Sequence, residues 1–115
     1  MTDPRRPRAR TSGLPREGSA RTTYDVTLEA GAVDDLAELP HWLHAAIIAR
    51  AEALAIDPRP PGATPLKGEL KGSYRLKVRH VYRIGYEVDD AARTVAVWEI
   101  GHRDKFYEKA KRRRK

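Results

Sequence analysis

Between positions 74 and 100 the chain keeps a period of two, and that period admits only extended structure. Tyr74, Leu76 and Val78 alternate with Arg75, Lys77 and Arg79, and after a tight turn near His80-Val81 the residues Tyr82, Ile84, Tyr86 and Val88 alternate with Arg83, Gly85 and Glu87. Successive side chains of a strand point to opposite faces, so each run reads as a strand with one buried face. Past an Asp89-Asp90 turn, Val95 to Ile100 is apolar on both faces except at Glu99, the pattern of a central strand. Upstream, Tyr24 to Leu28 alternates and reads as a further strand. Two helical patterns separate it from the others. Ala32 to Leu39 spaces Val33, Leu36 and Ala37 helically and stops at Pro40; His41 to Ile56 aligns Leu43, Ile47, Ala51 and Leu54 and stops at Asp57-Pro58. Residues 58–73 form a turn-rich connection, and Lys105 to Arg112 a last helix after Gly101. The order β-α-α-β-β-β predicts an α+β fold: an antiparallel sheet with a helical hairpin on one face and a short C-terminal helix.

At 115 residues and 13.0 kDa the chain allows one domain. Residues 1–22 hold six Arg, three Pro and two Gly, with Leu14 the only large aliphatic after Met1. Such a segment buries too little to offset its ordering entropy, so it reads as a disordered basic arm, and residues 23–115 as the folded domain with a basic C-terminal tail. Cysteine is absent, which excludes disulfides, thiolate zinc sites and a thiol nucleophile. No apolar run nears the roughly 18 residues of a membrane span, and no apolar stretch follows the N-terminal arginines as in a secretory signal; the expectation is a cytoplasmic protein without cofactor or metal.

The net charge of +7 is unevenly spread. Residues 23–60 carry seven acids against Arg50 and Arg59, while residues 61–115 carry fifteen Lys/Arg against seven acids. A basic half on a small protein points to a polyanion, although arginine-rich tails alone also raise the pI. The strand period sharpens this: with Tyr74, Leu76 and Val78 facing the helices, Arg75, Lys77 and Arg79 stand in a row on the other face, joined by Arg83 from the next strand. Like charges so placed repel, a cost that a bound anion would offset. After the central strand come His102, which titrates near neutrality, Arg103, whose planar fork suits phosphate, and Tyr107, a ring for stacking or a phenol for hydrogen bonding. Within this set Lys77 is one candidate base, because the cations around it work against its own proton, and His102 is the rival. Arg83 and Arg103 are candidate clamps for phosphate oxygens, and Glu99 is expected to pair with an arginine.

The series Pro65-Leu66-Lys67-Gly68, Gly72-Ser73-Tyr74-Arg75-Leu76-Lys77-Val78, Tyr82-Arg83-Ile84-Gly85-Tyr86-Glu87-Val88-Asp89, Gly101-His102-Arg103 and Tyr107 resembles the RelE/ParE toxin superfamily, over a stretch from Tyr24 to about Lys109. The resemblance implies a RelE-like fold and, on the RelE branch, the toxin of a type II toxin–antitoxin system. Such a toxin is a metal-independent endonuclease that cleaves mRNA in the ribosomal A site by attack of a ribose 2′-hydroxyl on the adjacent phosphate, and a cognate antitoxin neutralises it. It further implies that Arg75 and Lys77 match the family's basic pair, Arg83 its phosphate-binding arginine, Arg103 the arginine after the last strand, and Tyr107 the aromatic that stacks on or orients a base. Lys67 falls where many members have a basic residue contacting RNA, and Arg79 joins Lys67 and Arg75 as an expected RNA contact. Two other readings stay open: a ParE-like toxin that poisons DNA gyrase, and a non-catalytic RNA-binding member.

Overall fold

A computed structural model describes residues 23–113; the N-terminal arm and the last two residues of the basic tail lie outside the described residues. The elements are β1 (Asp25–Leu28), α1 (Ala30–Glu38), α2 (His41–Ala53), β2 (Ala63–Pro65), a single 3-10 turn at Gly68–Leu70, β3 (Ser73–Val78), β4 (Tyr82–Asp89), β5 (Thr94–His102) and α3 (Arg103–Arg113). They form the expected α+β fold, a five-stranded sheet in the order β1-β5-β4-β3-β2. None of the described helices is long and apolar enough to cross a membrane.

Two features of the sheet differ from the sequence reading. The sheet is mixed, because β1 pairs with β5 in parallel from Asp25↔Thr94 to Leu28↔Val97, while every other pair is antiparallel. Alternation assigns a strand its buried face but not its neighbour. The apolar β5 needs a partner on each side, and β1 supplies the second. The other difference is β2, three residues inside the turn-rich connection that pair with Leu76, Arg75 and Tyr74. Its Pro65 is tolerated because β2 is an edge strand.

The first helix ends where the sequence dictates, whereas α2 stops at Ala53, short of the expected Ile56, because Leu54 to Ile56 tighten into a turn whose amides donate three residues back. Leu39 is extended (ψ 156°), as a residue before proline prefers, and Pro40 serves as the boundary of α2. Leu43, Ile47 and Ala51 are buried on one stripe of α2, at i, i+4 and i+8. That stripe meets Leu76, Val78, Ile84, Tyr86, Val95, Val97 and Ile100 in the main core. Fully burying each large aliphatic contributes roughly 1.5–3 kcal/mol, so this layer holds the fold together. On the opposite face α3 covers a smaller cluster of Leu66, Leu70, Trp98, Phe106 and Ala110.

A β-bulge links the two layers. The register runs Gly85↔Glu99 and then Tyr86↔Val97, so Trp98 is the extra residue of the bulge. The extra residue shifts the parity of β5: Val95, Val97 and then Ile100 all belong to the helix-side core. Glu99, which strict alternation would group with Val95 and Val97, instead shares a face with Gly85.

Candidate active site

The face away from α1 and α2 is built by cross-strand register. Lys77 is opposite Arg83, which is opposite Gly101; one step along, Arg75 is opposite Gly85, which is opposite Glu99. Directly opposed side chains share a face about 5 Å apart, so Arg75, Lys77 and Arg83 stand together as expected. Arg103 reaches them differently from a strand-end loop: it is the first residue of α3, and its amide donates to Val81 O at 2.7 Å.

Arg83 is the floor of the site, only 9% exposed. Its Nη1 donates to the carbonyls of His80 (2.8 Å) and Tyr82 (3.1 Å). The hairpin that presents the His80 carbonyl is strained: Arg79 (φ 51°) and His80 (φ 71°) both lie in the left-handed region, at a cost of roughly 1–2 kcal/mol each. Burial, then the charges of Arg75 and Arg103, works against the Arg83 cation, while Tyr107 favours it. A preorganised, partly desolvated guanidinium crowded by two others is a place where a phosphate would be strongly held.

Arg75 spans two elements. Its Nη1 donates to the Tyr107 hydroxyl at 2.9 Å, and its Nη2 to Thr64 Oγ1 on β2 at 3.2 Å. Tyr107 is 42% exposed, with its ring edge-on to Phe106 at 5.3 Å. Lys77 projects from the row with its side chain exposed, and its backbone carbonyl accepts from Arg50 Nη2 of α2 at 3.2 Å. Lys67 is exposed beside Leu66, which is buried under α3, and so stands at the margin of the same face.

Two expected members fall outside the group. Arg79 is exposed, but its left-handed backbone takes it out of the strand, so it does not continue the row of Arg75 and Lys77. His102 is opposite Tyr82, which is opposite Val78, and therefore shares the helix side of the sheet. Its ring meets Tyr82 edge-on at 5.6 Å, and its Nδ1 accepts from the Asp104 amide at 3.1 Å. Of the two candidate bases, the geometry groups Lys77 with the arginines and sets His102 apart.

Glu99 is fully buried and approaches an arginine as expected, but that arginine is Arg113 (3.8 Å), which sits outside the row. Sequence reasoning missed the latch around it. Asp35 of α1 takes Arg113 in a fork at 2.7 and 2.9 Å, Lys109 at 3.0 Å and the Ile100 amide at 3.0 Å. Burial pushes the Asp35 carboxyl up, but these partners outweigh it and hold the group below the usual carboxylate range. The latch fixes the far end of the helix that carries Arg103 and Tyr107. No local spacing signals a pair 78 residues apart.

The chain matches, over residues 26–107, the family described as the ParE toxin of the type II toxin–antitoxin system parDE. It is 34% identical over 85 residues to Toxin RelG of Mycobacterium tuberculosis, covering 73% of this chain and 95% of that one. Among solved structures it is similar to the toxin–antitoxin complex RelBE2 of Mycobacterium tuberculosis (TM-score 0.65, 32% identity, 71% of this chain and 93% of that chain). A free-state mutant of the E. coli toxin RelE shares the fold, with TM-score 0.64 at 22% identity over 79% of this chain and 97% of that chain. With a matching family over most of its folded part and a relative at this identity, the chain belongs to the RelE/ParE superfamily, the toxins of type II toxin–antitoxin systems.

Proposed function

We propose that this toxin is a ribosome-dependent mRNA endonuclease that works without a metal. The supporting observation is the grouping of Arg75, Lys77, Arg83 and Arg103 beside Tyr107 on one face of the sheet. The ribose 2′-oxygen attacks the adjacent phosphorus, and the P–O5′ bond breaks as the leaving 5′-oxygen takes a proton from solvent, to which Lys77 later returns the one it accepted. The products are a 2′,3′-cyclic phosphate and a 5′-hydroxyl. Lys77 takes the 2′-hydroxyl proton; a lysine can act as a base where an arginine cannot. Arg83, anchored on two backbone carbonyls, and Arg103 stabilise the charge that develops on the phosphorane oxygens. Tyr107 meets the base next to the cut, with Lys67 holding the RNA backbone.

The toxin acts in the cytoplasm and is held inactive by a cognate antitoxin whose acidic and apolar segment covers the cationic face. Similarity to the RelBE2 complex supports this partner. The match to the ParE description favours a second reading, a gyrase poison of the same fold.

Induced expression of the wild type, Arg83→Ala and Arg103→Ala separates the two. Growth arrest by the wild type alone, with codon-phased cuts in translated mRNA by primer extension, is the expected result. Equal toxicity of all three, or loss of plasmid supercoiling without cuts, would reject it. In single-turnover cleavage, Lys77→Ala should lose roughly 10²–10⁴-fold and His102→Ala far less.

A further inference from the structure

Gly85 occupies the middle of a strand, where glycine weakens the strand relative to alanine and normally marks a bulge or a close approach. Its φ is not positive, so the backbone does not demand it. Space does. A Cβ at Gly85 would lie 2.9 Å from Phe106 Cζ, 3.3 Å from Phe106 Cε1 and 3.3 Å from Trp98 Cζ2. Both rings are buried, Phe106 at 0% exposure and Trp98 at 1%. The strand thus leaves a bare patch of backbone, between Arg75 on one side and Glu99 on the other, and the Phe106 ring lies down on it.

The residue after Phe106 is Tyr107, whose hydroxyl meets Arg75 Nη1 at 2.9 Å. Arg75 is the cross-strand neighbour of Gly85. The depth to which Phe106 sinks therefore sets the height of α3 over β3 and β4, and with it whether the phenol and the guanidinium meet.

We infer that Gly85 is a positioning residue for the catalytic face: by leaving room for Phe106 it places Tyr107 on Arg75. The cleavage readout of this inference rests on the endonuclease reading above, and its spectroscopic readout does not.

The experiment uses the full chain labelled with 3-fluorotyrosine. The fluorine resonance of Tyr107 is identified by its loss in Tyr107→Phe among the five tyrosines. In Gly85→Ala that line is expected to move toward its position in Arg75→Ala, while the line of Tyr24, on the far edge of the sheet, stays in place. Adding Phe106→Leu, which removes the clashing ring, should return it, and this double variant carries the test if Gly85→Ala alone shows no cooperative melt.

On translating ribosomes, Gly85→Ala should slow single-turnover cleavage by about 10–100-fold, the scale of an ångström-sized misplacement. In a Tyr107→Ala background the further loss should be under about 2-fold, whereas in a Lys77→Ala background the full factor should recur. An unmoved Tyr107 line, or the same penalty in the Tyr107→Ala background, overturns the inference. A wild type that cuts nothing overturns the endonuclease reading instead, and the fluorine line alone then decides the placement.

Discussion

Glu99 is a carboxyl group with no ordinary solvation in this fold. It is fully buried, neither side-chain oxygen accepts a hydrogen bond, and the nearest cation, Arg113, stops at 3.8 Å because Asp35 already holds its fork. Burial pushes the Glu99 carboxyl up to about 7, against the pull of Lys109 and Arg113 and with the push of Asp35. The native state therefore keeps a proton that the unfolded chain gives up near its ordinary value of 4.5. Stability is full below that value and falls as pH rises through about 7, by at most about 3 kcal/mol. Glu99→Gln keeps the shape without the ionisation. It is expected to flatten the decline between pH 5 and 7 and to be more stable than the wild type at pH 8, read by denaturant unfolding across that range. A variant whose slope matches the wild type would reject the account. Asp35 works in a separate window: its carboxyl is held below its ordinary 3.8, so its contribution disappears only on stronger acidification.

At the scale of elements, α3 has few reasons of its own to sit where it does. Six of its eleven residues are basic and only Phe106 and Ala110 are buried. Its place comes from three attachments: the Arg103 amide on Val81 O, Phe106 on Gly85, and the Asp35 latch on Lys109 and Arg113. Asp35 is 6% exposed but Arg113 and Lys109 keep 28% and 31%, so solvent tempers the pair, and Asp35→Asn should cost about 1–3 kcal/mol rather than the full penalty of a buried bridge. Native-state hydrogen exchange should then quicken in α3 while the amides of β4 keep their protection. With the Asp35 charge gone and Arg113 released, Glu99 should also titrate lower. Unchanged exchange in α3 would show that the latch does not hold it.

The same elements show what the sequence could and could not reveal. β3 and β4 were legible because each alternates without a break, which placed Arg75, Lys77 and Arg83 on one face. Arg79 was misplaced by extending that alternation into two left-handed residues, a turn carrying neither Gly nor Asn. His102 was misplaced by a bulge that no turn residue at Val97-Trp98 announces, since the one extra residue, Trp98, turns the rest of β5 over. The partners Thr64, Asp35 and Gly85 owe their roles to contacts across the fold, which no local period encodes.

Taken whole, the molecule is electrically two-sided. The segment 23–60, with seven acids against two arginines, forms the helical layer, where Asp34, Glu38 and Glu52 are exposed. The later segment, with fifteen Lys/Arg, forms the sheet face that exposes Lys67, Lys77 and Arg103. A polyanion is repelled by one side and drawn to the other, so charge orients the encounter before any specific contact forms. If about four phosphates meet Lys67, Arg75, Arg83 and Arg103, released counterions make the affinity fall with a log–log slope of roughly −3 to −4. Between 50 and 200 mM salt, binding to ribosomes carrying mRNA should weaken by about 10²-fold, measured by co-sedimentation with a cleavage-inactive variant. Lys67→Ala should reduce the slope by about one, as expected for a single lost phosphate contact, whereas Glu52→Ala on the opposite layer should leave the slope unchanged. A flat salt response, or equal effects of the two substitutions, would mean that the cationic face is not the surface that meets RNA.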